Sequence, residues 1–267
     1  MKFLKFCLHF ILVVLLSILT QVGGLLYLIV VLATRKIHRF KLIKQIVVFL
    51  LVYLICSLLL IPKVAPYFGR EKLETTEHLQ AHSLFYVLAN RDYVKPKLKE
   101  ALQEIARDFS KYDPNLTVVY LDANFPFFDG FPLLPHLSHN DGKKIDLAFI
   151  YNDEKGRVTN EKPSRSGYGI YEASNSGERD QTQACKEAGY WQYDFTRYVS
   201  FGNRNPELTL SNEATKQLVK LILNLKETSK LFLEPHLVQR MNHSDPKIRF
   251  HGCRAVRHDD HIHFQIN

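Results

Sequence analysis

The chain has 267 residues, 46% of them hydrophobic, and carries 35 basic against 27 acidic side chains for a formal charge of +8. Basicity of that size ordinarily points to nucleic acid or an anionic surface, but its distribution argues against the first. Residues 1–70 hold nine Lys or Arg and no carboxylate, whereas 71–267 hold 26 basic and 27 acidic residues and stand at −1. The positive charge therefore belongs to the apolar N-terminal part, and nucleic-acid binding is set aside.

Phe6–Thr34 and Gln45–Pro62 contain no Asp, Glu, Lys or Arg, and each reaches the roughly 18–20 residues that a membrane-crossing helix needs. Two transmembrane helices are expected, at about 6–34 and 45–62, with Gln21, Gly23 and Gly24 allowing a tilt or bend in the first. A cleaved signal peptide is the competing reading, but the apolar run is long for a signal core and a second span follows. The intervening segment Arg35–Lys44 has five basic residues against two in the N-terminal tail. By the positive-inside tendency it is cytoplasmic, which places both ends outside, in an inner-membrane protein whose exported part faces the periplasm or cell exterior. The expected division is a membrane anchor over 1–65, a helical connector over 66–115 and an exported domain over 116–267. Cys7 and Cys56 fall in the apolar runs as small hydrophobes. Cys185 and Cys253 fall in the exported part, where oxidation is possible, though the sequence leaves their pairing open.

Glu71–Leu88 reads as a helix leaving the membrane, with His78 and His82 on a solvated face and no HExxH pattern around them. Lys97–Tyr112 is amphipathic: Leu98, Ala101, Leu102, Ile105 and Phe109 fall on one side, Pro96 precedes it and Asp113-Pro114 stops it. Thr117–Ala123 reads as a strand, and Phe125–Pro135 as an irregular aromatic loop. Lys144–Tyr151 alternates, with Ile145, Leu147, Phe149 and Tyr151 on one face and Asp146 with Ala148 on the other. A carboxylate on an otherwise apolar strand is costly unless paired or bound to a cation. Asn152–Gly189 is a long polar segment, either a flexible insertion bordering the cleft or disordered. Tyr190–Phe201 is aromatic and holds Trp191. Ser211 is placed to cap a helix over Asn212–Lys226 with a Leu218, Ile222, Leu225 stripe. Lys230–Leu233, Lys247–Phe250 and Asp260–Ile266 read as strands. The fold class that follows is α+β, a mainly antiparallel sheet flanked by helices.

The chemistry gathers at two places. In the closing strand, His261 and His263 share one face while Ile262 and Phe264 share the other. Upstream, His139 and Asp146 stand seven residues apart, with Gly142 permitting a sharp turn into the strand that carries Asp146. Two imidazoles and a carboxylate make a zinc donor set, leaving a position for water.

The segment H-x-S-H-x-x-G-x-x-x-D (His136 to Asp146) followed by H-x-x-H-x-H (His258 to His263) resembles the lysostaphin, D-Ala-D-Ala peptidase and hedgehog-type metallopeptidase superfamily, and within it the penicillin-insensitive murein endopeptidases. The resemblance implies a single zinc ion held by His139, Asp146 and His263. His261 would be the general base or oxyanion stabiliser, with His136 and His258 as further active-site histidines. Either of the last two could instead orient a ligand, as could Asp259 or Asp260. Glu234 is an alternative base, by analogy with the D-Ala-D-Ala carboxypeptidases, although their local pattern is missing around it. His243 and His251 are surface or packing residues. The similarity covers the two ends of the exported domain; the middle and the membrane spans depart from the family. The expected function is hydrolysis of amide bonds in peptidoglycan peptides by a murein endopeptidase. The alternatives are a D-Ala-D-Ala carboxypeptidase or dipeptidase, or a catalytically silent membrane-tethered binding protein.

Overall fold

The structure, a computed structural model, describes residues 2–37, 39–199 and 201–267. It opens with helices α1 (Lys2–Thr20), α2 (Gly23–Ala33), α3 (Lys41–Ile55) and, after a π-turn over Cys56–Leu60, the short α4 (Ile61–Val64). Strands β1 (Glu71–Lys72) and β2 (Leu79–Ala81), helix α5 (Leu84–Leu88), strand β3 (Tyr93–Val94) and helix α6 (Pro96–Tyr112) follow. Then come β4 (Val118–Tyr120), β5 (Lys144–Ala148), β6 (Tyr151–Asn152) and β7 (Val158–Thr159), and helix α7 (Gln181–Glu187). The chain ends through a 3-10 helix (Trp191–Val199), β8 (Thr209–Leu210), α8 (Asn212–Asn224), β9 (Thr228–Phe232), α9 (Pro235–Arg240), β10 (Ile248–Arg249) and β11 (His261–Ile266).

Two compact units form. One holds residues 1–73, 84–96 and 122–142; the other holds 74–83, 97–121 and 143–267.

In the first unit the long apolar run is broken, contrary to the single span expected over 6–34. Gln21 adopts a left-handed φ of 67°, and α2 folds back on α1. A Cβ on Gly24 would lie 2.3 Å from the Val13 carbonyl oxygen, so only glycine admits that approach. His9 Nδ1 meets the Tyr27 hydroxyl at 2.7 Å, which one continuous helix at 1.5 Å per residue could not allow. The N-terminal tail and the basic Arg35–Lys44 segment therefore lie at the same end of the helices, which corrects the reading with both ends outside. Phe3–Thr20 and Lys41–Phe68 are each long and apolar enough to cross a membrane, and the first also has the position of a signal sequence. Large apolar side chains along both, Phe6, Leu15, Leu50 and Leu59 among them, are exposed. The π-turn precedes Pro62, which has no N–H to continue the α-helical ladder. At the other end of the helices, Ile61 and Ala65 bury against Tyr93, with Val22 and Phe127 packed on them. The Gln21 side chain closes a two-bond bridge with the Phe127 backbone, donating to its carbonyl at 2.6 Å and accepting from its N–H at 2.9 Å.

The second unit is built on a six-stranded sheet in the order β10-β9-β11-β5-β4-β2. Pairs β9-β11, β11-β5 and β5-β4 are antiparallel, while the outer pairs β10-β9 and β2-β4 are parallel. The mixed α/β architecture with a mainly antiparallel sheet thus agrees with the expected class. The expected helix over Glu71–Leu88 is mostly absent: β1, β2 and the single-turn α5 replace it, because ladder bonds to β4 outweigh local helix propensity. His78 and His82 accordingly flank an edge strand. The expected helices over 97–112 and 212–226 form, and their predicted stripes are buried. Ser211 stands at the N-cap of α8, but its backbone carbonyl, not its side chain, makes the capping bond, accepting from Thr215 N–H at 2.9 Å. On β5 and β11, Ile145, Leu147, Ile262 and Phe264 are fully buried on the face opposite Asp146 and the histidines. Cys185 and Cys253 form a disulfide, tying α7 to the segment ahead of β11.

Candidate metal centre

Strand pairing builds most of the site. Across β11-β5, His263 is the direct partner of Asp146 and His261 of Ala148. Since side chains two apart share a face, Asp146, His261 and His263 rise together from one side of the sheet. The His263 Nδ1 lies 2.9 Å from Asp146 Oδ1, and His261 Nε2 lies 3.6 Å from that same oxygen. Phe232, the partner of His263 on β9, stacks on its ring at 5.1 Å. The second Asp146 oxygen accepts a hydrogen bond from the Tyr168 hydroxyl at 2.8 Å, and the Tyr168 ring stands edge-on to His261. His261 is oriented in turn by Asp260, whose Oδ1 lies 2.5 Å from Nδ1 and whose Oδ2 accepts from Gly169 N–H. Burial disfavours an imidazolium at His261, but Asp146 and Asp260 outweigh it and raise its pKa to about 9.

His139 comes from the loop ahead of β5. Its Nδ1 donates to the Ala123 carbonyl at 2.8 Å, which fixes the tautomer and leaves Nε2 with its lone pair, as for a metal ligand. Gly142 makes the turn from that loop into β5 at φ 75°, and a Cβ there would come 2.6 Å from the Arg70 guanidinium. Its N–H donates to Asn124 Oδ1 and its carbonyl accepts from Lys95 N–H. His139, Asp146 and His263 are all buried, and one ligand atom of each lies within 4.8 Å of the others. Nitrogen, carboxylate oxygen and nitrogen form a donor set that accepts zinc and other divalent ions of similar preference. The three expected ligands are therefore brought together as a group that could hold a metal ion.

The remaining expected residues have separate surroundings. His258 is buried, its ring 5.0 Å from that of His261 and 5.9 Å from that of His263. Burial first, then the neighbouring imidazoles, holds it well below the usual histidine range, so it is neutral. His136 bonds Asp122 at 2.8 Å and its ring lies 5.7 Å from that of His139. Burial acts to raise the Asp122 pKa, but Arg91 and His136 outweigh it and hold the carboxyl below its ordinary range. Glu234 is committed structurally: its Oε1 accepts from Tyr193 hydroxyl at 2.5 Å and from His258 N–H at 2.9 Å. Burial and then Asp259 push its pKa up to about 7. Asp259 itself pairs with Arg257, so of the two aspartates only Asp260 bonds a site histidine. His251 is exposed but packs on Phe232 and His258.

Sequence reasoning missed Tyr168 and the Arg91–Asp122 pair. Tyr168 sits in a Gly-Tyr-Gly triplet whose glycines take φ of 88° and 86°. An aromatic between two such glycines in a polar loop was the available signal, because the sharp backbone aims it. Arg91 and Asp122 are 31 residues apart, and no spacing rule connects them.

A scan against known protein-family models gives no match for this chain, and no curated protein matches it. What fold and site define is a mixed α/β protein with two apolar N-terminal helices and a buried His-Asp-His group able to take a metal ion.

Proposed function

We propose that the chain is a membrane-anchored zinc peptidase that hydrolyses amide bonds in peptidoglycan peptides, as a murein endopeptidase. The observation that carries this reading is the buried His139, Asp146, His263 group with His261 directed at the same carboxylate. The substrate class comes from the sequence resemblance alone. His139, Asp146 and His263 would hold the ion. A zinc ion held there would supply Lewis acidity toward the scissile carbonyl and a water of lowered pKa, about 7.

The protein's own groups divide the remaining work. His261 is fixed by Asp260 on Nδ1 and presents Nε2 to the ligand group; a cation held by Asp146 would offset the carboxylate charge that raises the His261 pKa, so that Nε2 would accept the proton of the attacking water. The same imidazolium then returns a proton to the leaving amine nitrogen, and Asp260 stabilises it in between. His258 stands beside His261 and stabilises the developing oxyanion. Helices α1 and α3 would cross the membrane, with the N-terminal tail and the Arg35–Lys44 segment on the cytoplasmic side. The catalytic part would then face the wall.

The test uses the full chain in detergent. His263→Ala should lose both bound metal and the chelator-sensitive cleavage of cross-linked muropeptides. His261→Gln should keep the metal and lose turnover by about 100-fold or more. A metal-replete, fully active His263→Ala protein would overturn the assignment. A wild-type protein that binds zinc yet leaves muropeptides intact would make it a binding protein instead.

A further inference from the structure

A cavity of about 350 Å³ opens in the sheet unit, bounded by β2, β4 and the segments around 160–164 and 204–205. Its volume is at the low end of small-ligand sites. Gln80 pairs with Val119, and Tyr120 with Leu147. By strand alternation the pocket side chains Gln80, Val119 and Thr117 lie on the sheet face that carries Asp146, whose strand β5 is next to β4 and two strands from β2.

The lining is cationic. Lys162 is only 7% exposed, and its Nζ is buried with no hydrogen-bond acceptor among the described residues. An ammonium so placed is costly unless something compensates it, and the Tyr151 ring, 5.9 Å from Nζ, is weak compensation. His82 and Arg204 also line the cavity. Burial lowers the His82 pKa, and the charges of Lys162 and Arg204 lower it further, so the three groups feel one another. Glu161 is the one carboxylate in the lining among the described residues, and it is exposed.

The cations are held there by the backbone. Ser164 and Asn203 form an antiparallel bridge, Arg204 N–H donates to the Pro163 carbonyl at 2.7 Å, and Asn205 Nδ2 donates to the Lys162 carbonyl at 3.1 Å. Asn160 accepts from Thr117 N–H and donates to the Asn115 carbonyl, closing the wall. A buried amine and a guanidinium on one concavity are complementary to a small anion; the His82 Nε2 donates to the Arg165 carbonyl at 3.2 Å and closes the wall beside them.

We propose that this pocket is an anion-binding site that takes a carboxylate or phosphate group of a ligand on Lys162 and Arg204. It does not depend on the metal centre. The test titrates the full chain in detergent, with chelator present and ionic strength held by chloride, against inorganic phosphate and, separately, acetate. The readout is the unfolding temperature, confirmed by calorimetric binding. A saturable rise with either anion is expected, and the anion that binds more tightly identifies the class of group recognised. Lys162→Met should weaken that binding about tenfold or more, and Arg204→Gln severalfold, as expected for charge-assisted contacts. Lys162→Met replaces a buried charge by an apolar chain of similar length and should unfold no lower than wild type in chloride. Should it fail to fold, Arg204→Gln, at an exposed position, decides the matter. Titrations unchanged in the variants, or no saturable response to either anion, would overturn the proposal.

Discussion

Tyr168 donates to one oxygen of Asp146 while the other faces His263, so this phenol decides which lone pairs the carboxylate can offer a cation. Tyr168→Phe keeps the ring against His261 and removes only the hydroxyl. It should weaken zinc binding by about tenfold, the lower range for partners that orient a ligand, as measured by chelator competition. Unchanged affinity would reduce Tyr168 to a packing role. Lys162 carries a separate prediction. Burial depresses its pKa to about 7, against about 10.4 in an unfolded chain. Between those values the unfolded chain binds more protons, so stability must rise with pH, by up to about 1.4 kcal/mol per unit. Lys162→Met should flatten the rise in unfolding temperature between pH 7 and pH 10 in a chloride medium free of phosphate and carboxylates. A wild-type profile that is already flat would show the amine to be solvated.

At the scale of elements, the strands that carry the site were legible because their residues alternate strictly. Ile145 and Leu147 against Asp146, and Ile262 and Phe264 against His261 and His263, have one solution: apolar face inward, ligand face together. Ile262→Ala should therefore cost about 2–5 kcal/mol, as for a fully buried aliphatic side chain, read by denaturant or thermal unfolding. Helices α6 and α8 were legible for the same reason at helical period. Over Glu71–Leu88 the helical reading fails because β2 has three residues and exists only through β4, each of whose partners lies 39 residues on; local pattern carries no such information. The same holds for the break at Gln21, where a close approach between α1 and α2, not hydropathy, selects glycine. The long polar segment is fastened by the Cys185–Cys253 bond, whose partners are 68 residues apart. On the chain-entropy model a loop of that size is worth about 4 kcal/mol. A Cys185→Ala/Cys253→Ala protein should unfold at a clearly lower temperature, and an unchanged temperature would mean the segment is held by other contacts.

At the scale of the whole molecule, the apolar helices share a unit with residues 84–96 and 122–142. The Phe127 backbone is bridged to Gln21, the Asn90 side chain donates to Ser57 at 3.2 Å, and Tyr53 donates to the Leu88 carbonyl at 2.5 Å. The loop that carries His136 and His139 is thus packed in the unit built by the helices. A protein reduced to residues 66–267 should show faster hydrogen exchange over 122–142 and a lower metal content than the full chain. Equal protection in both would show that the helices serve only as a tether.

The sequence by itself determined the apolar helices, the amphipathic helices, the alternating strands and the His139, Asp146 and His263 set, since each is written as a local period or a short spacing. Only the tertiary structure decided that the first apolar run folds back, that Tyr168 and Asp260 orient the site, that Glu234 is bound into the backbone, and that Lys162, Arg204 and His82 meet in one pocket. Those outcomes rest on contacts between residues distant in the chain. No local period or short spacing encodes such contacts, so they are settled only when the elements pack.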